Sequence, residues 1–367
     1  MKEYLERTAL TEKKSAIKLR VKKATEGNAF GDAEIYVRSS DKSGDFYTKY
    51  NLCYEKDPAT KAIKMGDDIV PLVWENGTNG GYNRSNYRIK AGYVCKWNSD
   101  TDTFEEIYPI LQQGEISMGV KEIRRSDGAM AGDFVGGYHG DENIKITDGV
   151  PQVKMTLDGK EISLDGGDEL FVEGNELCFE QTTLINRCNT PKEVIIEHGQ
   201  IMVFNTSGIH ERQSAVFLSD DYEEQGKYML DNGQSCLQMF TLFRIDMRDK
   251  VGRMCDLLNF YDENKKLVAS ADTSECPLGY HGWTGNDTQK INRYVEYRSK
   301  DKGVYALAGF KILNDSVDCH SAKIMIRAHG DNKLYCSFES KNPTRQPIKG
   351  ERWELDLLYY IDYNSGL

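Results

Sequence analysis

Residues 193–217 read EVIIEHGQIMVFNTSGIHERQSAVF, and this stretch decides the fold class. Two runs rich in apolar and β-branched residues flank the polar loop NTSG at 205–208, which is typical of a β-hairpin. A four-residue loop predicts that Phe204 pairs with Ile209. The predicted strands are 193–204 and 209–217.

This register assigns the polar side chains of the hairpin to faces. Side chains alternate along a strand, so His210, Arg212 and Ser214 share one face. His198 lies on the other face, opposite Ala215. The two histidines of the hairpin are therefore not expected to share a site.

The same pattern of short strand-like runs separated by polar turns continues on both sides of the hairpin through most of the chain. Short alternating runs such as AEIYVR, YRIKAGYVCKW and RWELDLLYYIDY are separated by turn clusters such as DKSGD and NSDTD. This pattern predicts an all-β fold, a β-sandwich or jelly roll with many short antiparallel strands and little helix. The expected organisation is an N-terminal arm at 1–32 and an extended β-sandwich at 33–367, with a division into two lobes near 75–86.

Two local signals refine this expectation. The sequence LDGKE at 157–161 predicts a tight hairpin, because Asp-Gly favours a type I′ turn. The stretch DDYEEQGKYML, which begins at Asp220, is a weak helix candidate.

Composition excludes several classes of function. The 367 residues carry a formal net charge of −11, which argues against nucleic acid as a partner. No run of 18 apolar residues is present, so insertion into a membrane is not expected. The first residues, MKEYLERTALTEKK, lack the apolar stretch of a signal peptide. We therefore expect cytoplasmic synthesis.

The nine cysteines follow no CxxC spacing and are odd in number. They are interpreted as free thiols of a protein from a reducing compartment or a virion. Cys178, Cys236 and Cys336 lie in apolar strand patterns and are predicted to be buried and unbridged.

The richest chemistry lies in DFVGGYHGDE at 133–142. Its glycines allow tight turns and close approach to a ligand. Tyr138 and His139 can transfer protons, and the carboxylates of Asp141 and Glu142 can bind hydroxyl groups. This segment is predicted to be part of a functional site.

A second set of candidates comes from the hairpin and the strand that follows it. Residues 236–245 alternate clearly, with Gln238 and Arg244 on the same side. These two side chains are expected to extend the polar face that His210 and Arg212 begin.

A histidine with two arginines suits a polysaccharide lyase. Such an enzyme removes the proton beside the carboxylate of a uronic acid, and it needs a base, cationic neutralisers and an acid for the leaving oxygen. His210 or His139 is the candidate base, Arg212 and Arg244 are the neutralisers, and Tyr138 is the acid. The segment 133–142 is accordingly expected to converge with the face that carries His210.

Other chemistries remain open. A glycoside hydrolase would pair Asp141 or Glu142 with a distant acid. Calcium ligation by Asp141, Glu142 and Asn143 is a weaker alternative, because no DxDxDG loop is present. No other cofactor and no further metal site is predicted.

The strand rhythm over residues 33–363, the 21 tyrosines and the GGYHGDE segment resemble those of β-sandwich carbohydrate-active proteins. That group includes polysaccharide lyases and the depolymerase or receptor-binding parts of phage tails. The chain lacks the Gln-x-His and Arg-rich strand motifs of jelly-roll alginate lyases. The resemblance implies a polysaccharide or oligosaccharide partner, and it leaves a non-catalytic glycan-binding or adhesion protein, with or without homo-oligomers, as the alternative to a lyase.

Overall fold

The computed structural model describes most of the chain as strands, turns and connecting loops. No helix occurs among the described residues, so the predicted all-β class is confirmed. The helix candidate at Asp220 lies outside them, as does nearly all of the predicted lobe boundary. The structure describes residues 15–25, 29–40, 44–56, 62–65, 68–71, 85–111, 116–126, 129–135, 142–147, 150–187, 190–219, 237–245, 248–249, 252–253, 257–272, 294–299, 303–326, 332–340 and 347–363.

The described residues contain 28 strands. In chain order these are β1 (Ile17–Val21), β2 (Ala33–Arg38), β3 (Phe46–Lys56), β4 (Ala62–Met65), β5 (Asp68–Pro71), β6 (Ser85–Asn98), β7 (Thr103–Leu111), β8 (Ile116–Ser126), β9 (Ala129–Val135), β10 (Glu142–Ile144), β11 (Ile146–Thr147), β12 (Val150–Pro151), β13 (Val153–Leu157), β14 (Lys160–Glu161), β15 (Leu170–Gly174), β16 (Leu177–Arg187), β17 (Thr190–Asn205), β18 (Gly208–Phe217), β19 (Leu237–Ile245), β20 (Arg248–Asp249), β21 (Gly252–Arg253), β22 (Leu257–Tyr261), β23 (Leu267–Asp272), β24 (Tyr294–Arg298), β25 (Val304–Ile312), β26 (Val317–Ile326), β27 (Asn332–Ser340) and β28 (Arg352–Tyr363).

Strand pairing forms three large runs of neighbouring strands, and β4-β5, β11-β12 and β20-β21 form separate two-stranded pairs. The first sheet is β15-β1-β2-β3-β6-β7. The second sheet is β13-β16-β17-β18-β28-β25-β24-β22-β23, and β10 lies end to end with β13 on the same edge of β16. The third sheet is β9-β8-β19-β27-β26. Single residue pairs join the first sheet to the other two.

The first and second sheets enclose one continuous hydrophobic core, as in a β-sandwich. Aromatic rings from the two sheets meet inside it. The ring of Tyr50 on β3 lies 5.9 Å from that of Phe204 on β17, and the ring of Tyr87 on β6 lies 5.2 Å from that of Phe179 on β16. Fully burying one such ring stabilises the fold by about 1.5–3 kcal/mol, so these contacts hold the two sheets together.

The predicted hairpin register is confirmed. Phe204 pairs with Ile209, and Val203 pairs with His210. The pairing extends one step further, to Asn205 and Gly208, so the connecting loop is shorter than predicted. His198 is buried in the core, whereas His210 is exposed on the opposite face of the sheet.

The predicted Asp-Gly turn is also confirmed. Asp158 and Gly159 have φ values of 49° and 76°, as a type I′ turn requires, and they connect β13 to β14. The Asp158 carboxylate accepts hydrogen bonds from the backbone N–H groups of Asn175 and Glu176. These hydrogen bonds stabilise the connection between β15 and β16, where the chain passes from the first sheet to the second.

Residues 17–21 of the predicted N-terminal arm form β1, which pairs with β2 and with β15 inside the first sheet. Strand pairing on both sides fixes this part of the chain. The described residues include no helix with the length and apolar character that crossing a bilayer demands.

The cysteine prediction is partly wrong. Cys178 is a free thiol, but it is only half-buried. The reason is strand parity, because Phe179 takes the inward position on β16 and turns Cys178 outward. Cys53 and Cys95 are also free thiols. The side chains of Cys236 and Cys336 lie outside the described part of the chain.

Two glycines in turns give a matched test of the hairpin. Gly208 has a φ of +115°, and a Cβ atom there would lie 2.4 Å from the backbone oxygen of Tyr359. Gly159 has a φ of +76° with nothing within 4 Å of a Cβ. Gly159→Ala should lower the free energy of unfolding by about 1–2 kcal/mol, the cost of a left-handed backbone. Gly208→Ala should cost clearly more, because β28 itself would have to move. Equal losses in denaturant unfolding would show that this contact does not constrain the hairpin.

Candidate functional site

An open groove of about 410 Å³ crosses the outer face of the second sheet. It extends from the region of β13 to the start of β28, a span of roughly 19 Å at a strand spacing of about 4.8 Å. The residues that line it are Gln152, Val153, Lys154, Glu180, Gln181, Thr182, Glu197, Gly199, Gln200, Ile201, Arg212, Ser214, Val216 and Arg352.

The groove exists because one row of the sheet carries small residues. Thr182 on β16, Gly199 on β17 and Ser214 on β18 are direct neighbours across the strands. Gly199 has no side chain, and the hydroxyl oxygen of Ser214 lies close above it, 2.7 Å from where a Cβ atom would be. The hydroxyl groups of Thr182 and Ser214 flank this position and offer both hydrogen-bond donors and acceptors.

Charged side chains flank this row, and they occur in pairs. Arg212 binds Asp356 on β28 through two hydrogen bonds, Nε to Oδ1 at 2.8 Å and Nη2 to Oδ2 at 3.3 Å. Arg352 contacts Glu354 at 2.9 Å. These cations are therefore compensated by carboxylates of the same sheet.

A further ion pair at the groove includes a residue from another segment. Lys145 follows β10 and donates to Glu197 at 2.5 Å. Its backbone N–H donates to the carbonyl oxygen of Thr182 at 2.8 Å. The chain that leads out of DFVGGYHGDE thus reaches the groove within three residues of Glu142.

The structure places two predicted site residues on the groove face. Arg212 lines the groove, and His210 lies two residues further along β18, towards the hairpin turn. His210 Nε2 is 2.7 Å from the hydroxyl oxygen of Ser207. Desolvation of its ring lowers the pKa of His210, an effect that the charge of Glu176 opposes. The imidazole is therefore mainly neutral at pH 7 and able to accept a proton.

None of the other predicted site residues has a described side chain. Tyr138, His139 and Asp141 lie outside the described residues. Glu142 begins β10, where it pairs with Ile185, and its side chain is not described.

Gln238 and Arg244 lie on β19, which pairs with β8 and β27. β18 pairs instead with β17 and β28. Strand pairing therefore provides no direct extension of the His210 and Arg212 face by β19, contrary to the expectation from alternation alone.

Sequence reasoning missed a ladder of buried polar side chains on the inner face, directly beneath the groove. Gln181 donates to Gln200 at 2.6 Å, and Gln200 donates to Glu211 Oε1 at 2.5 Å. Gln213 also donates to Glu211 Oε1, at 2.6 Å, and its own carbonyl oxygen lies 2.9 Å from His198 Nε2. The hairpin register was sufficient to find this ladder, because it places Glu211 on the same face as Ile209 and Phe217.

Glu211 is the unusual member of the ladder. It is 2% exposed, and its Oε2 atom has no hydrogen-bond partner among the described residues. Burial raises the pKa of Glu211 to about 7, although the bonds from Gln200 and Gln213 act in the opposite direction. Near neutral pH the carboxyl group is therefore divided between its neutral and charged forms.

Comparison with known proteins gives only distant likenesses. Searches of the sequence against family models and against curated proteins return no match. Among solved structures, the galactosidase domain of an α-galactosidase–sucrose kinase shares 12% identity over 89% of this chain and 40% of that chain, with a TM-score of 0.35. A heparinase III shares 7% identity over 88% of this chain and 35% of that one, with a TM-score of 0.30.

A third structure, an α-N-acetylgalactosaminidase from Bifidobacterium bifidum in complex with GalNAc, shares 10% identity over 73% of this chain and 35% of that one, with a TM-score of 0.28. The chain thus spans 40% or less of the length of these three proteins. The resemblance is a weak similarity to carbohydrate-active enzymes. Scores of this size place the chain in none of their families.

The ladder predicts how stability depends on pH. The folded-state pKa of Glu211, about 7, lies above the unfolded value of about 4.3. Its contribution to stability is therefore fully present below the unfolded value and is lost as pH rises through about 7. Glu211→Gln, which cannot ionise, should flatten this decline between pH 5 and pH 8.

The measurement is the free energy of unfolding across that pH range, compared with wild type. The matched control is Glu180→Gln, the same substitution on the outer face of the sheet, which should keep the wild-type slope. A wild-type slope in Glu211→Gln would mean that Glu211 does not titrate in the folded protein.

Proposed function

We propose that the groove on the second sheet binds a glycan. The observation that carries this proposal is its floor, a row of hydroxyl, amide and glycine positions that crosses several strands. Sugar hydroxyl groups both donate and accept hydrogen bonds, and side chains such as Thr182, Ser214 and Gln152 match that chemistry.

Two further features support binding at this place. Ile201, on the groove wall, is 40% exposed and offers an apolar surface to the CH face of a sugar ring. The groove is also built on β16, β17 and β18, each paired on both sides. Strands held in this way are ordered before the ligand arrives, so binding loses little conformational entropy.

Filling the groove tests this function. Thr182→Trp places a large ring over the glycine row and should weaken glycan binding by at least about tenfold, equivalent to about 1.4 kcal/mol. Binding is first found on a glycan array and then measured by calorimetry with the glycan that binds most strongly.

The matched control is Thr156→Trp, the same change on the outer face of β13 but outside the groove lining. Thermal unfolding establishes that both variants fold. Unchanged affinity in Thr182→Trp, with both variants folded, would place the binding site elsewhere.

A polysaccharide lyase is the second candidate, and one observation favours it. His210 has a lowered pKa and shares a strand face with Arg212. In β-elimination the base removes the proton beside the uronate carboxylate, a carbon–carbon double bond forms, and the leaving oxygen takes a proton from the acid. His210 is the base in this proposal, Arg212 neutralises the carboxylate, and Tyr138 supplies the proton.

Ultraviolet absorbance of the unsaturated product tests this reaction with a panel of polyuronates. His210→Ala should lower the rate by about 10²- to 10⁴-fold, the usual contribution of a general base. Arg212→Lys should also lower it, because lysine lacks the planar two-point grip on a carboxylate. Lys160→Ala, on the exposed β14, is the control. Absence of product with every polyuronate would exclude the lyase and leave glycan binding unaffected.

A further inference from the structure

We propose that the groove selects neutral glycans and rejects polyuronates and other polyanionic glycans, an inference that rests on the proposed glycan-binding function. The physical reason is that the cations at the groove have carboxylate partners of their own. A neutral sugar meets a surface rich in hydrogen-bonding groups, whereas Arg212, Arg352 and Lys145 each already contact a carboxylate that an acidic sugar would have to displace.

Arg212 is the first of these cations. Its guanidinium makes the two-point contact with Asp356 that a uronate would otherwise make. A uronate must displace Asp356 to reach Arg212, so it replaces one carboxylate by another with little net gain. A sugar hydroxyl can instead accept from the remaining guanidinium N–H groups while the pair stays intact.

Two other basic groups repeat this arrangement. Arg352 is paired with Glu354, and Lys145 is paired with Glu197. Lys154 on β13 lies directly opposite Glu180 on β16, on the same outer face. Four cations and four carboxylates thus border the groove and the strand beside it.

The net negative charge of the whole chain also disfavours binding of acidic glycans. The formal net charge is −11, so a polyanion approaching the sheet is repelled unless a local cluster of cations attracts it. Balanced pairs create no such cluster, because the opposite charges of each pair largely cancel at longer range. Selectivity against acidic glycans therefore follows from the pairing and from the net charge together.

The first experiment compares binding of neutral and acidic oligosaccharides of equal chain length. The neutral set contains gluco-, galacto- and xylo-oligosaccharides, and the acidic set contains oligogalacturonates and oligomannuronates. We expect binding from the neutral set, with an affinity that changes less than about twofold between low and physiological salt, since screening acts mainly on charged partners.

The second experiment removes one compensating acid. Asp356→Asn removes the carboxylate partner of Arg212 without changing the shape of the side chain. It should gain oligouronate binding by at least about tenfold at low salt, and added salt should abolish the gain. Glu354→Gln removes the carboxylate partner of Arg352 and is the second variant, for use if Asp356→Asn does not fold. It should give the same gain in oligouronate binding.

The matched control is Glu161→Gln, which makes the same change in net charge on β14, outside the groove. It should leave oligouronate binding at the wild-type level. Salt-sensitive binding of oligouronates by the wild type would overturn the inference and leave glycan binding in place. No gain in any folded Asp356 or Glu354 variant would overturn it too. Failure to bind either set would instead overturn the proposed function.

Discussion

The pairing of Phe204 with Ile209 is the constraint on which the rest of the second sheet depends. Side chains alternate with a period of two, so a slip of β18 by one residue against β17 would exchange the two faces of β18. Ile209 and Phe217 would then leave the core, and Arg212 would enter it. Burial of these apolar side chains, at about 1.5–3 kcal/mol each, excludes the alternative register.

The same register forces polar groups into the core. His198, Gln200, Glu211 and Gln213 occupy inward positions among apolar neighbours, and a buried polar group without a partner is costly. These side chains satisfy their polar groups by hydrogen bonding to one another. The hydrogen-bonded series ends at the backbone of Tyr87, whose carbonyl oxygen accepts from Gln181 at 2.9 Å. Oε2 of Glu211 lacks a hydrogen-bond partner in the described part of the chain and is the weak point of the ladder, and protonation removes the charge of this carboxyl group.

The parts of the fold that the sequence could predict are local. The hairpin register and the type I′ turn at Asp158 follow from loop length, alternation and residue type within 25 residues. The groove could not be predicted in this way. It requires β28 to pair with β18, and Arg212 meets Asp356 across 144 residues of chain. Alternation along β19 was read correctly as a strand, but alternation carries no information about which strands become neighbours.

The geometry of the second sheet also bears on the two candidate functions. In the strand register, Glu142 lies opposite Ile185, which in turn lies opposite Ile196 of β17. His210 lies opposite Val203 of the same strand. Ile196 and Val203 are seven residues apart, which is roughly 24 Å along the strand at about 3.4 Å per residue. The chain that follows Glu142 therefore leads to the Glu197 end of the groove, and His210 lies beyond the other end. A lyase that used groups from both ends would need them within hydrogen-bond reach of one sugar unit. Binding of an extended glycan needs only the row of small polar residues between them, and this is why binding is the function that the described residues support better.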